Sequence, residues 1–225
     1  MPGVDFKFRL DAADRSIEAS VHLPDEPLHP VEILPVVLSL TDAVVAMSES
    51  RTTENGEAIS CRAGCGACCR QLVPVSELEA LHLAQLVAAM PRERRDRVAE
   101  RFRQACERAA PVLERLHAAT GDAAVAEMGE AASPYFALGI PCPFLEQESC
   151  SIHPQRPSIC REYLVTSHPE HCGRLDPVRV KRVPVPVTIS SALIYFSDGR
   201  GTAEPRVLFW IDARTQISVS WDKIP

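Results

Sequence analysis

The chain has 225 residues, 46% of them apolar and 24% charged, with a formal net charge of −6. That balance excludes disordered and fibrous classes, and the acidic surplus argues against a nucleic-acid or membrane-surface partner, both of which need excess Lys and Arg. The opening MPGVDFKFRLDAADRS lacks a basic n-region and an apolar h-region, so the chain is expected to be cytoplasmic; nine cysteines in a reducing compartment suit metal ligation better than disulfides.

Phe6, Phe8 and Leu10 alternate with Asp5, Lys7 and Arg9, and Ile17, Ala19, Val21 and Leu23 alternate with Glu18, Ser20 and His22. The period of two predicts a pair of half-buried strands joined as a hairpin. From Pro30 the period changes to that of a helix, with Ile33, Val37, Leu40, Val44 and Met47 as its stripe and Leu34, Leu38 and Val45 widening it. The run Val31 to Met47 falls short of the ~20 residues that cross a bilayer, which predicts a buried helix. Ser48 to Glu57 is read as a loop.

Ser76 followed by Glu79 predicts a capping box opening a helix with Leu78, Leu81, Leu86 and Val87 on its apolar side, running to Met90. Pro91 opens the next helix, striped by Val98, Phe102, Ala105, Ala109, Val112 and Leu116, kinked or divided at Pro111 and ended by Gly121. Residues 122–141 are ambiguous. Cys142 to Cys172 has little periodicity apart from two helical turns over Ser158 to Val165, so metal would have to order it. Val178, Val180 and Val183 suggest a strand, and Val187 to Phe196 fits either strand or helix.

The chemistry lies in two cysteine clusters. CRAGCGACC places Cys61, Cys65, Cys68 and Cys69 within nine residues, a density of thiolates that a bound cation makes tolerable. Gly64 and Gly66 allow the backbone to fold sharply around Cys65. The second cluster supplies Cys142, Cys150 and Cys160, with Cys172 as the eighth ligand, and prolines 143, 154 and 157 stiffen the chain between them. Eight thiolates suit two zinc ions, an iron–sulfur cluster with a second site, or a multinuclear iron site. Arg156 and Arg161 are candidates to donate to metal-bound sulfur and offset its charge. Cys106 falls on a helix stripe and is read as an apolar thiol. His153, His168 and His171 are weighed as ligands and read as packing or loop residues. The arginines between 92 and 115 are read as a solvated surface paired with interleaved acids.

The C-x3-C-x2-C-C start, the CPFL segment and the C-x-I-H-x-x-R-P-x-x-C-R run resemble the YkgJ-type cysteine-cluster family of zinc- or iron-chelating proteins, over roughly residues 58 to 175. The resemblance implies a ligand set of Cys61, Cys65, Cys68, Cys69, Cys142, Cys150, Cys160 and Cys172, and metal binding rather than a defined reaction. His153 stands where that family more often has an aromatic residue. The first three cysteines also match the spacing of radical S-adenosylmethionine enzymes, but the strand-helix alternation of their barrel is missing here.

The expected fold is α+β and mainly α: an N-terminal hairpin and buried helix over residues 1–57, a cysteine-cluster domain over 58–175 ordered by metal, and an α/β extension over 176–225 packed on it. The expected function is a cytoplasmic iron-binding protein, in iron–sulfur form or as iron ions, with a redox or metal-dependent modification role and an unidentified redox or protein partner. The alternatives are a zinc-stabilised protein-interaction module and a metal delivery or sequestration protein.

Overall fold

The computed structural model of the chain describes residues 3–12, 15–26, 29–118, 122–196 and 206–207. The expected hairpin is present: β1 (Gly3–Ala12) and β2 (Arg15–Pro24) pair antiparallel in a register that sets Val4 opposite Leu23 and Leu10 opposite Ile17. Apolar partners therefore share one face, and the other carries Asp5 opposite His22, whose Nδ1 lies 2.8 Å from the Asp5 carboxylate.

A short 3-10 turn, Pro30–Ile33, leads into α1 (Leu34–Glu54). The helix does not stop at Met47, as the sequence suggests. Thr52 Oγ1 donates to the Ser48 carbonyl (2.8 Å) and Thr53 Oγ1 to that of Glu49 (2.9 Å), so hydroxyls expected to make a loop instead bond four residues back along the helix. Together with the turn, Val31–Glu54 is long and apolar enough, by length and composition, to cross a bilayer, which overturns the expectation that this run is too short. Its buried stripe, from Leu34 through Leu38, Thr41 and Val45 to Ser48 and Thr52, is also more polar than expected. Polar bonds fasten that helix to the protein: Thr41 Oγ1 donates to Ser158 Oγ (3.3 Å), and Asp42 takes both of its oxygens to one nitrogen of Arg161 (2.6 and 2.7 Å).

The capping box at α2 (Glu77–Ala88) forms as predicted, with Ser76 N–H donating to Glu79 Oε2 (3.0 Å) and Glu79 N–H to Ser76 Oγ (3.2 Å). The buried face is Ala80, Leu83, Ala84 and Val87, one step round from the predicted one, because Glu79 turns inward. Its second oxygen, Oε1, accepts from the Ser158 N–H at 2.7 Å, at the start of α5 (Ser158–Glu162). One buried carboxylate thus caps two helices, the second of which carries Cys160. Glu79→Ala orphans these donors, and an unsatisfied buried donor costs about 1–3 kcal/mol; a urea titration is expected to show a loss of about 2–4 kcal/mol, and a loss under about 0.5 kcal/mol would contradict the bridging role.

The longest helix, α3 (Arg92–Ala118), continues through Pro111 without the predicted division. Val98, Phe102, Ala105, Ala109, Leu113 and Leu116 are buried along it. Gly121, its expected terminator, lies outside the described residues. The ambiguous stretch is helical as α4 (Asp122–Ala137) and runs back along α3, since Arg115 reaches Glu127 (2.7 Å) and Arg108 donates to the Leu138 carbonyl (2.6 Å). The Phe144 ring stands edge-on to Phe102 with centroids 5.4 Å apart, worth about 0.5–1.5 kcal/mol beyond area burial. That contact fixes the CPF segment to α3.

The short strand β3 (Pro74–Val75) precedes α2, and beyond the CPF segment β4 (Leu145–Glu146) and β5 (Ser149–Cys150) form a small hairpin whose two turn residues, Gln147 (φ 51°) and Glu148 (φ 58°), take the left-handed geometry of a tight two-residue turn. A five-residue helix, α6 (Pro169–Gly173), carries Cys172. The strand expected around Val178 reduces to a bridge between Val165 and Arg182, and Val178 is exposed. Ile189–Phe196 is helical as α7, with the buried Glu162 carboxylate accepting from the Ser190 N–H near its start (3.0 Å). The fold is mainly α with small β-hairpins, as expected.

Candidate metal centre

Two loops remote in sequence are stitched together backbone to backbone. Within the first, Cys65 N–H donates to the Arg62 carbonyl (3.1 Å), Cys69 N–H to Gly66 (3.0 Å) and Gln71 N–H to Cys68 (3.0 Å), a succession of tight turns that brings its sulfurs to one side. Gly64 sits at φ +89°, a conformation that L side chains rarely adopt. The second loop is then joined to it: Cys142 N–H donates to the Cys69 carbonyl at 2.7 Å, and Arg70 forms a two-pronged pair with Glu148 (3.0 and 2.6 Å).

Between them lies a cavity of about 130 Å³ lined by Cys65, Cys68, Cys69, Cys142, Cys150 and Cys160. Six of the eight predicted ligands, three from each cluster, therefore face a shared space. Its other walls are largely apolar, with Leu72, Val73, Phe144, Ile152 and Ile159, and Tyr163 and Arg156 close it. Cys61 and Cys172 do not line the cavity, and both lie beside Tyr163. Cys61 Sγ lies 3.7 Å from the Tyr163 carbonyl and packs with Val45, Leu164 and Val183. The Gln71 amide donates to Tyr163 Oη (3.4 Å) and to the Cys172 carbonyl (3.2 Å), and the Tyr163 hydroxyl favours the charged form of Cys172.

All nine cysteines are free. Burial pushes Cys142 up to about 12 and raises Cys61, Cys150, Cys160 and Cys172; Cys68 is raised first by its hydrogen bond with Cys69 and then by burial. Cys68 also raises Cys61, Cys172, Cys142, Cys150 and Cys160, since its thiolate would repel theirs. As protonated thiols they line the cavity without converging: among the described residues no three His, Cys, Asp or Glu side chains form a ready metal-holding group. The donor chemistry still fits a thiophilic metal. A cation would reverse the mutual repulsion of these sulfurs, which is otherwise relieved only by keeping their protons.

The two candidate arginines part company. Arg156 lines the cavity, touches His153 Nε2 through Nη1, and favours the charged forms of Cys68, Cys150 and Cys160. Arg161 does not line it: Nε donates to the Arg156 carbonyl (2.8 Å), Nη2 to that of Pro154 (2.6 Å) and Nη1 to Asp42. It fastens the Pro154–Arg161 loop to α1, and the predicted donation to sulfur is corrected to this structural clamp. Burial, then Arg156, lowers the His153 pKa, keeping the ring neutral at the cavity edge. His168 and His171 are outside the cavity, the former capping α6 by accepting from Glu170 N–H (3.3 Å). Cys106 packs against the α3 core as expected. Gln71 is the participant that sequence reasoning missed, and only its position two residues after Cys69 hinted at it.

Residues 60–177, a little over half of the chain, match the CxxCxxCC family model, described as "Putative zinc- or iron-chelating domain". The chain belongs to that family, and metal binding is its general function. No curated protein and no solved structure matches the chain.

Proposed function

We propose that this is a cytoplasmic iron–sulfur protein whose eight clustered cysteines supply the ligands, with electron transfer or a metal-dependent modification as its use. The observation that carries this reading is the cavity of about 130 Å³ ringed by six free thiols and apolar side chains. A lone zinc ion draws four sulfurs to about 2.3 Å and needs no such space. A cluster of iron and sulfide does, and it supplies reversible one-electron chemistry when bound.

Around that space, each protein group has a definite task. Leu72, Val73, Phe144, Ile152 and Ile159 exclude water, which lowers the local dielectric. Arg156 offsets negative charge on the sulfurs and so favours the reduced form. Tyr163, held by Gln71 and with the Arg182 guanidinium 4.9 Å over its ring, favours the charged form of Cys172. Cys61 and Cys172, each raised further by the neighbouring Cys68, would complete the ligand set of eight. Nine free thiols accord with a reducing compartment.

Anaerobic purification followed by iron, zinc and acid-labile sulfide analysis tests the proposal. Iron and sulfide in comparable amounts with absorbance near roughly 400 nm are expected; stoichiometric zinc without sulfide would replace it with the zinc-stapled module. Metal affinity should rise with pH, because every bound thiol must first lose a proton that burial holds tightly. Chelator competition at two pH values checks this, and a pH-independent affinity would mean that the thiols are not the donors.

A further inference from the structure

On the other side of the Cys142 segment, α3 presents Arg97, Arg101, Gln104 and Arg108 at successive turns of one face. These side chains and the 140–147 segment enclose a cleft of about 510 Å³, within the range of small-molecule sites. Of the acids interleaved along the helix, Glu100 and Glu107 hold Arg103, Glu100 also accepting from the cleft's Gln104 (2.7 Å), and Asp96 lies near Arg92 and Arg95. The cleft's three guanidiniums therefore face a single carboxylate, that of Glu146, 3.3 Å from Arg101. Among the described residues Arg97 has no ion-pair or hydrogen-bond partner.

Two of these cations are held in place by backbone. Arg101 donates to the Pro143 carbonyl (3.2 Å) and Arg108 to that of Leu138 (2.6 Å), each through one nitrogen, leaving further N–H groups for a ligand. Anchoring of this kind lowers the ordering cost of binding, and the flat fork of guanidinium matches the paired oxygens of carboxylate or phosphoryl groups. A local positive concentration in a chain of net charge −6 is a departure from its surface average.

We propose that this cleft binds a small polyanion carrying at least two carboxylate or phosphoryl groups. It is a site separate from the thiol cavity, with Cys142 in the wall between them.

Isothermal titration of the purified, metal-loaded chain with citrate and with pyrophosphate at low ionic strength tests it. Saturable one-site binding of either probe is expected, and the better of the two distinguishes a polycarboxylate ligand from a polyphosphate one. Arg97→Glu should weaken binding by about tenfold or more, since it replaces attraction by repulsion. Arg97 makes no bond in the fold, so this variant remains informative where changing Arg101 or Arg108 would loosen the loop. The control Arg92→Glu, on another face of α3, should bind as the unaltered chain does. Failure of both probes to saturate, or equal weakening in the control, overturns the proposal. Metal content measured on the same samples reports the thiol site independently.

Discussion

Cys68→Ser is expected to lower metal affinity by more than about a hundredfold, because even neighbours of metal ligands cost about 10–100-fold when removed. Cys68 lines the cavity, and its thiolate would repel both groups of cysteines, Cys61 and Cys172 outside the lining and Cys142, Cys150 and Cys160 within it. Serine keeps the size of the side chain but replaces a soft sulfur with a hard oxygen that is a poor ligand for zinc or iron. Loss of metal should also loosen residues 142–172, whose regular structure is limited to a hairpin of two-residue strands and short helices. Cys106→Ser is the matched control, since that thiol packs against α3 and is absent from the cavity. Metal analysis with a thermal melt checks both variants, and full metal occupancy in Cys68→Ser would remove that residue from the site.

What the sequence made legible is what is written locally. Ser76 and Glu79 are three residues apart and bond to each other, so the start of α2 is decided within one turn. The density of CRAGCGACC likewise announces a common purpose for its sulfurs without any knowledge of the fold. The boundary of α1 was lost because Ser48, Thr52 and Thr53 suit loops by type, and only their bonds to carbonyls four residues back show them serving a helix. Arg156 and Arg161 are alike in sequence, five residues apart in one motif. Which of them faces sulfur depends on Asp42, far away on α1, and on the carbonyls of Pro154 and Arg156, a tertiary arrangement that no spacing encodes. The arginine cleft was hidden for the same reason: along α3 acids are interleaved with the arginines, and only the folded helix shows which arginines those acids pair with.

Gly66→Ala is expected to separate the two cysteine loops, lower stability by about 1–3 kcal/mol through overpacking and strip most of the metal. A Cβ at Gly66 would sit 2.6 Å from the Glu148 carbonyl oxygen and 2.7 Å from Leu145 Cδ1. The leucine methyl can yield, but the carbonyl cannot do so cheaply: Glu148 occupies the left-handed turn of the β4–β5 hairpin, and its carboxylate is pinned by Arg70. The hairpin must therefore retreat, carrying Cys150 away from Cys65, Cys68 and Cys69. Gly64→Ala provides the contrast, since φ +89° is strained for alanine by about 1–2 kcal/mol yet nothing lies within 4 Å of its Cβ. Both variants should be less stable in urea, but only Gly66→Ala should lose its metal. Equal metal content in the two would show that backbone strain, rather than the closeness of the loops, governs the site.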